Sequence, residues 1–487
     1  MFRSRPQVSA LNCLVALGAV LFTLPSSPCT AQKSQTHPSP IAHTSANDAA
    51  SIRVALEAYE EGRLAVAEPL LQELLTAHPN DYRLNAALGG LLAEAGETAR
   101  AIPLLERSCR VAPREALAHA NLGAAYLKVS RNSEAVRELG RAMRLDPDNP
   151  VTLANLGQAQ MAAGKPQEAA KAFSRAADRV AVNSTAANAP HTDDELRYNA
   201  AVAYLQSGLA AEALRELKKI PPASMTDAMH ALAGELSEKG GDPKQAVTEY
   251  QAAAQMNPSD ENLYALTAEL LRHWTWTQAV EIAEFGATRY PASKHFKVAA
   301  GVGRYANNDY KGAVPLFAGL LQAEPENAMY ADLLGRSCSL MTDGDDADCS
   351  GMHAFALRHP ENAVTTTYAA AAILHQPTGK QDLAEAGRLL RSAIAADAKY
   401  AEAYFQMGVL EQAELHWGES ADMLERSITL RPASSQAHYR LSRAYAHLGR
   451  REEAQAQMNL QQQLSQAEKD SLNARLQEVV TFVLKPN

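Results

Sequence analysis

Small residues recur along this chain at a nearly constant interval, and this interval restricts the fold more than any other feature of the sequence. The first members of the series, Ala67, Ala101, Ala135 and Ala169, are each 34 residues apart. Apart from two longer intervals, the spacing stays at 33 or 34 residues through Ala213, Ala246, Ala279, Ala313, Ala347, Ala386, Ser420 and Ala454. A fixed period of this length indicates a chain built from repeated supersecondary units.

A second series of small residues lies twelve positions before the first. Two antiparallel helices approach most closely where neither has a large side chain, so paired small positions predict one tight helix-turn-helix per period. Prolines recur near the end of most units, and because proline cannot continue a helix they predict where each second helix stops. The second series is Ala55, Gly89, Gly123, Gly157, Ala201, Gly234, Thr267, Gly301, Gly335, Gly408 and Ser442.

One unit shows the whole pattern: Asn121-Leu122-Gly123-Ala124-Ala125-Tyr126, followed by Ala135, Leu139, Ala142 and Pro147. In these residues the chain resembles the tetratricopeptide repeat family. The resemblance implies an all-α fold, a right-handed α-solenoid of about twelve antiparallel helix-turn-helix repeats between Ser51 and Leu464. An amphipathic stretch after the last repeat is expected to act as a capping helix, because a solenoid must cover its final apolar face.

Two longer intervals, of 44 and 39 residues, divide the series and predict insertions at 181–192 and around 376–380. We expect both insertions to be surface loops within a continuous solenoid, although a division into separate segments is the alternative. The predicted organisation is repeats 1–4 at 49–180, a loop at 181–192, repeats 5–9 at 193–360, repeats 10–12 at 361–464, and a capping helix and tail at 465–487.

The N-terminus has the features of a secretory signal peptide. Arg3 and Arg5 precede an apolar run from Ala10 to Leu24, which is shorter than the roughly 20 residues that a membrane-spanning helix needs. Cleavage is predicted after Ala31, with a flexible polar linker at 32–48. The mature protein is therefore expected to be periplasmic or secreted, with no stable transmembrane segment.

Charge and cysteine content restrict the partners and the compartment. Formal net charge is −9, and no Lys/Arg stripe interleaved with aromatic residues overrides this acidity, so nucleic acid is not expected as a partner. Removal of the signal would leave Cys109, Cys338 and Cys349. A Cys338–Cys349 disulfide and three free thiols both remain possible, and the oligomeric state is not predicted.

No motif for catalysis, a cofactor or a metal is found in the sequence. The acidic run between Asp343 and Asp348 lacks the ligand spacing of a calcium loop, and His353 and His359 are too far apart for a zinc motif. We therefore predict a protein that is not an enzyme and has no catalytic, cofactor-binding or metal-binding residues.

The resemblance also implies where a partner would bind, because side chains on the first helix of each repeat line a concave groove in this family. Asn121, Asn155 and Asn199 match an Asn position of the family's carboxylate clamp, but the cations of that clamp are missing around them. Aromatic side chains suit such a groove, although filling space between repeats is an equally good interpretation. The candidate partner-binding residues are Tyr59, Tyr198, Tyr264, Tyr305, Phe405 and Tyr439.

These observations favour an exported, non-catalytic adaptor that binds a protein or peptide in a mostly apolar and acidic groove. Assembly of an envelope, secretion or polysaccharide-export complex is the process expected. The alternatives are a module that carries substrate for a separate enzyme, and a glycan-binding protein.

Overall fold

The computed structural model describes residues 46–183, 192–341, 349–375 and 380–483. Within these ranges the chain forms α-helices and a short 3₁₀ turn at Pro222–Ser224, and contains no β-strand. The predicted all-α class is therefore confirmed. No helix in these ranges combines the length and the hydropathy that crossing a membrane requires.

The chain divides into two compact units, the first ending at Gly241 and the second beginning at Asp242. The helices of the first unit are α1 (Ala46–Glu60), α2 (Leu64–Ala77), α3 (Tyr82–Glu94), α4 (Thr98–Val111), α5 (Ala116–Lys128), α6 (Asn132–Leu145), α7 (Pro150–Ala162), α8 (Pro166–Asn183), α9 (Thr192–Gln206), α10 (Ala210–Leu217) and α11 (Asp227–Lys239).

The second unit continues the alternation of first and second helices. Its helices are α12 (Pro243–Met256), α13 (Asp260–Arg272), α14 (Trp276–Arg289), α15 (Lys294–Ala306), α16 (Tyr310–Ala323), α17 (Ala328–Cys338), α18 (Ser350–Arg358), α19 (Ala363–His375), α20 (Lys380–Ala396), α21 (Ala401–Ala413), α22 (Trp417–Leu430), α23 (Ser435–His447) and α24 (Arg451–Val483).

The small residues lie where two helices of a hairpin meet. Ala135 on α6 is fully buried, and a Cβ placed on Gly123 of α5 would come within 2.5 Å of the Leu139 side chain. The same geometry recurs at Gly408 of α21, where a Cβ would lie 2.6 Å from Leu424. In these hairpins the residue four positions after the key alanine or serine therefore packs on the glycine of the first helix, which explains why that position must be small.

A left-handed residue closes the turn inside most hairpins. Gly96, Gly164 and Gly449 take this conformation without steric cost because they have no Cβ. Leu415 and Trp274 take it at the equivalent turn positions, with φ values of 65° and 64°. The turn geometry is thus set by the hairpin and is kept even where a bulky residue must adopt it.

The boundaries of the predicted segments differ from the observed helices at the linker and at the first insertion. The signal peptide lies outside the described residues, and α1 begins at Ala46, inside the predicted linker. At the first insertion, α8 extends to Asn183 and α9 starts at Thr192, so that only 184–191 lie outside the described residues.

The segment predicted as a capping helix, 465–487, is continuous with the last repeat as far as Val483. Residues Arg451–Val483 form one helix that continues the second helix of the last repeat. Neither Gly nor Pro interrupts this segment, which is rich in Gln, Glu, Ala and Leu, so nothing in the sequence ends the helix at the predicted boundary.

The cysteines have different roles. Cys338, the last residue of α17, forms a disulfide with Cys349, directly before α18, and the two are 11 residues apart in sequence. Cys109 on α4 is a buried free thiol. The acidic segment 342–348, enclosed by the disulfide, lies outside the described residues.

Candidate binding surface

The first helices of the last hairpins form a continuous layer in the second unit. Helix α17 contacts α19, α19 contacts α21, and α21 contacts α23. Side chains that point away from the second helices share one surface of this layer, which we call the first-helix face. Two groups of polar and aromatic side chains lie on this layer.

The first group surrounds an arginine and is named the Arg336 cluster. The Arg336 guanidinium lies 5.0 Å from the centre of the Tyr368 ring, and its Nε donates to Asp332 Oδ1 at 2.9 Å. Tyr305 and Tyr400 are close enough to interact electrostatically with this guanidinium. All five side chains are half-buried. The cluster therefore combines a large aromatic surface with a cation that still reaches solvent.

Burial and mutual contact shift the pKa values of the Arg336 cluster. Burial is the main cause of the raised pKa of Tyr368 and of Tyr400, and the contact between the two tyrosines lowers the pKa of Tyr368 and raises that of Tyr400. Burial alone would lower the pKa of Arg336, but Tyr368 and Asp332 outweigh it and the net shift is upward. The guanidinium therefore stays charged.

The nearby carboxylates already have partners. Glu402, at the start of α21, accepts from Arg431 at 2.6 Å and from Gln406 at 3.0 Å. Asp332 accepts from Nε of Arg336. Neither the Nη1 nor the Nη2 nitrogen of Arg336 has an acceptor among the described residues. The free N–H groups of Arg336 can therefore donate to a planar acceptor group from outside the chain.

The second group is named the Arg440 cluster and lies at the other end of the layer. Arg440 Nη1 donates to Gln412 Oε1 at 3.3 Å, and Gln412 Nε2 donates to the Arg440 carbonyl at 2.9 Å. Tyr439 and Arg443 are exposed beside Arg440 on α23, and Tyr439 keeps 44% of its surface accessible. Burial and the charge of Arg440 lower the pKa of His375, the last residue of α19.

The predicted aromatic residues separate into different environments. Tyr305 belongs to the Arg336 cluster and Tyr439 to the Arg440 cluster. Phe405 keeps only 7% of its surface and packs in one core cluster with Leu424 and Leu441. The remaining predicted residues, Tyr59, Tyr198 and Tyr264, are half-buried and pack against the cores of their own hairpins.

Two of those tyrosines have close polar or aromatic neighbours. Burial and the Glu94 carboxylate raise the pKa of Tyr59 to about 12, and a Cβ on Gly90 would come within 2.6 Å of its hydroxyl. The Tyr264 ring lies 4.5 Å from the ring of His295, centre to centre. The structure does not bring either residue into the two clusters of the first-helix face.

The first-helix face of the second unit differs from the apolar and acidic surface expected from the sequence. Arg336 and Arg440 lie at the centres of its two clusters. Tyr368 and Tyr400, which complete the Arg336 cluster, were not predicted. Tyr368 lies in the middle of α19 and Tyr400 directly precedes α21, so neither is at the repeat position that Tyr264, Phe405 and Tyr439 share. Comparing charged residues at the same register in successive repeats would have found Arg336 and Arg443.

A metal-like arrangement is found among the described residues of this unit at Glu411, Glu414 and His416. One ligand atom from each lies within 4.8 Å of the others. The His416 Nδ1 atom is 3.0 Å from Glu411, which accounts for the arrangement as an exposed ion pair, and these carboxylates raise the pKa of His416.

The fold and the repeated hairpins define a helical repeat protein of the kind that presents surfaces to other proteins. Models described as tetratricopeptide repeat match residues 58–125 and 126–189, and a further one matches residues 435–467. The chain thus contains tetratricopeptide repeats, as its sequence predicts, and such repeats are typical protein-interaction modules. No curated protein matches the chain.

Several solved structures are similar to parts or most of the chain. Yeast Tom70 is 15% identical, with 82% of this chain and 96% of that chain covered and a TM-score of 0.36. YrrB, a TPR protein with an unusual peptide-binding site, is 19% identical, with 41% and 97% covered and a TM-score of 0.35. Pseudomonas aeruginosa pilF is 18% identical, with 44% and 94% covered and a TM-score of 0.34.

Proposed function

We propose that this chain is an exported, non-catalytic scaffold that binds a peptide segment of a partner protein on the first-helix face of its second unit. The Arg336 cluster is the observation that carries the proposal. It places Tyr305, Tyr368 and Tyr400 around a charged guanidinium with unused donors. Tyrosine and arginine are the residue types that supply much of the binding energy at protein interfaces.

The physical basis is the combination of contact area and orientation. Tyrosine rings offer a large surface at a low entropic cost, because each has only two rotatable side-chain bonds. The Asp332 carboxylate holds one edge of the Arg336 guanidinium, so its orientation is fixed before a ligand arrives. A peptide can place an apolar side chain on the rings and an acceptor group on the arginine.

Export is supported by two independent features. The N-terminal sequence has the basic start and apolar run of a signal peptide. The Cys338–Cys349 disulfide forms and persists in oxidising compartments such as the bacterial periplasm. We propose assembly of an envelope, secretion or polysaccharide-export complex as the process.

The binding proposal is tested by peptide selection. A random peptide library displayed on phage is selected on the immobilised full chain, and the selected peptides are synthesised with a fluorescent label. Arg336→Gln and Tyr305→Ala are expected to weaken binding of these peptides by about tenfold or more, measured by fluorescence anisotropy.

Two controls remove similar groups from outside the cluster. Arg388→Gln takes one charge from a side chain that is 72% exposed on the second helix α20. Tyr404→Ala removes a ring on the same helix layer whose hydroxyl donates instead to the Ala398 carbonyl at 3.2 Å. Equal losses in the controls and in the cluster variants would show that the Arg336 cluster is not the binding site.

Export is tested on the protein purified from its host. N-terminal sequencing is expected to show a mature chain that starts at Gln32. A protein that starts at Met1 would contradict the export proposal and leave the binding proposal untouched.

A further inference from the structure

The Arg440 cluster contains positive charge that the described part of the chain does not neutralise. Arg440 and Arg443 have no carboxylate partner among the described residues, although the sequence has 55 acidic residues against 46 lysines and arginines. Some arginines of the unit have carboxylate partners: Arg304 binds Glu284 and Asp309, and Arg431 binds Glu402. Arg440 and Arg443 instead place two such charges one helical turn apart on α23.

The neutral partner of Arg440 orients it without removing its charge. Gln412 keeps only 7% of its surface, accepts from Arg440 Nη1 and donates to the carbonyl of the same residue. The amide therefore holds both the side chain and the backbone of Arg440. The Nε and Nη2 atoms of the guanidinium have no acceptor among the described residues and remain available.

The local electrostatics agree with this geometry. Burial and the charge of Arg443 lower the pKa of Arg440 below its ordinary value. Partial burial and the charge of Arg440 likewise lower the pKa of His375. Partly desolvated positive groups without a counter-ion are unfavourable, and a bound anion would offset that cost.

The cluster lies on the same helix layer as the Arg336 cluster, so a peptide bound at one cluster can reach the other. Helices α17, α19, α21 and α23 contact one another in succession, so that one extended chain can cross both clusters. The exposed ring of Tyr439 adds contact area beside Arg443. A guanidinium with a free edge binds a carboxylate through parallel hydrogen bonds.

We infer that the Arg440 cluster binds carboxylate groups of an acidic segment in the partner peptide. The inference rests on the proposed function and adds the chemistry of the ligand. Arg440 and Arg443 provide the charge-assisted hydrogen bonds, Gln412 positions Arg440, and Tyr439 packs against the peptide. The same site would give binding that weakens as salt concentration rises, because exposed charges are screened.

The test uses the purified full chain and fluorescein-labelled oligoglutamate as the probe. Oligoglutamate is expected to bind, and oligoglutamine is not. The double variant Arg440→Gln/Arg443→Gln is expected to weaken oligoglutamate binding by about tenfold or more. Arg388→Gln, which removes a charge from the second-helix side, is expected to leave it within about twofold, since that arginine already has the Glu385 carboxylate at 3.7 Å.

A second comparison identifies the source of the carboxylate. If oligoglutamate with an amidated C-terminus binds as tightly as the peptide with a free C-terminal carboxylate, the site recognises glutamate side chains, as inferred. If only the free acid binds, the inferred acidic segment is wrong and the site recognises a chain terminus. Thermal unfolding followed by circular dichroism confirms that each variant is folded.

Three outcomes overturn the inference: equal binding of oligoglutamine, unchanged binding in the double variant, or an equal loss in Arg388→Gln. None of these affects the proposed function, because peptides selected through the Arg336 cluster would still lose affinity in Arg336→Gln. Conversely, if Arg336→Gln weakened the selected peptides no more than its controls do while oligoglutamate still bound, the proposed function would be overturned. The acidic-ligand site would remain.

Discussion

His119 and Glu138 form a buried, hydrogen-bonded pair. His119 Nδ1 lies 2.8 Å from Glu138 Oε2, and its Nε2 lies 3.2 Å from the Pro113 carbonyl. At the same register near the C-terminus, His438 faces the Gln457 amide and the Pro432 carbonyl. The contact at Glu138 is therefore the carboxylate version of a contact that another repeat makes with an amide.

The Glu138 contact predicts a pH-dependent part of the stability. Burial alone would raise the pKa of Glu138, but hydrogen bonds from Arg137 and His119 and the charge of Arg141 outweigh it, and the pKa is lowered. A lowered pKa in the folded state contributes stability above the unfolded pKa of about 4.3, which is lost as pH falls through the folded value. Glu138→Gln should cost about 3 kcal/mol at neutral pH and less in acid.

The measurement is the thermal midpoint of both proteins from neutral pH down to about pH 3, below the ordinary glutamate pKa. Glu73→Gln serves as the control because Glu73 is exposed on α2 and loses the same charge. A difference between wild type and Glu138→Gln that stays constant with pH would contradict the assignment.

For Arg440 we predict the opposite effect on stability, because its charge has no carboxylate partner in the described part of the chain. Arg440→Leu should leave the free energy of unfolding unchanged or raise it by about 0.5–1 kcal/mol while abolishing oligoglutamate binding. Arg197→Leu is the contrasting variant, since Arg197 is buried between Asp178 at 3.2 Å and Glu216 at 3.3 Å. It should cost about 3–5 kcal/mol in urea unfolding. A large loss in Arg440→Leu would instead mean a structural role.

Between the two helices of a hairpin, the small residue on the first helix sets the distance. Gly123 on α5 and Gly140 on α6 belong to one hairpin and differ in the space around them. A Cβ at Gly123 would meet Leu139 Cγ at 2.5 Å, whereas at Gly140 it would meet only the tip of Arg144 at 3.7 Å. Gly123→Ala should therefore destabilise the protein by about 1–3 kcal/mol. Gly140→Ala should stabilise it by about 0.5–1 kcal/mol through the helix propensity of alanine, measured by chemical denaturation.

Equal effects of Gly123→Ala and Gly140→Ala would show that helix propensity alone decides the stability of the two variants. A destabilisation by Gly123→Ala that disappears in combination with Leu139→Ala would instead confirm the contact, because the double variant removes the group that the new methyl meets.

The link between α17 and α18 predicts a local effect of reduction. The Cys338–Cys349 disulfide closes a short loop, and removing it with Cys338→Ser should cost about 3 kcal/mol by the loop-entropy relation. Hydrogen exchange is expected to speed up in α17 and α18. Non-reducing peptide mapping should show the linked pair, while Cys109 resists alkylation because burial and Glu138 raise its pKa to about 12. Rapid labelling of Cys109 in the folded protein would contradict this arrangement.

The hairpins were predictable from the sequence because their contacts are local. Gly123 meets Leu139 only sixteen residues later, and both belong to one period of the repeat. The Arg336 cluster was not predictable in the same way, since Tyr305, Tyr368 and Tyr400 come from different repeats and different registers. The unbroken α24 was missed because the repeat period suggested a boundary where no helix-breaking residue exists.

Across the whole chain, the apolar core is divided into clusters that each belong to neighbouring helices. One cluster includes Leu105 and extends from α1 to α7, and another includes Leu424 and extends from α21 to α24. Because each repeat contacts mainly its neighbours, stability is expected to be a sum of local terms rather than the property of one core. The binding surface of α17–α23 therefore depends chiefly on its own helices.

This division predicts that a core mutation acts locally. Leu105→Ala empties a fully buried site in the α3–α4 hairpin and should cost about 2–5 kcal/mol there. Native-state hydrogen exchange should show lower protection in α3–α6 and unchanged protection in α21–α24. Leu424→Ala, equally buried, should give the reverse pattern. Uniform loss of protection in either variant would mean that the whole chain unfolds as one cooperative unit, and then a partner bound at Arg336 would stabilise every repeat instead of its neighbours alone.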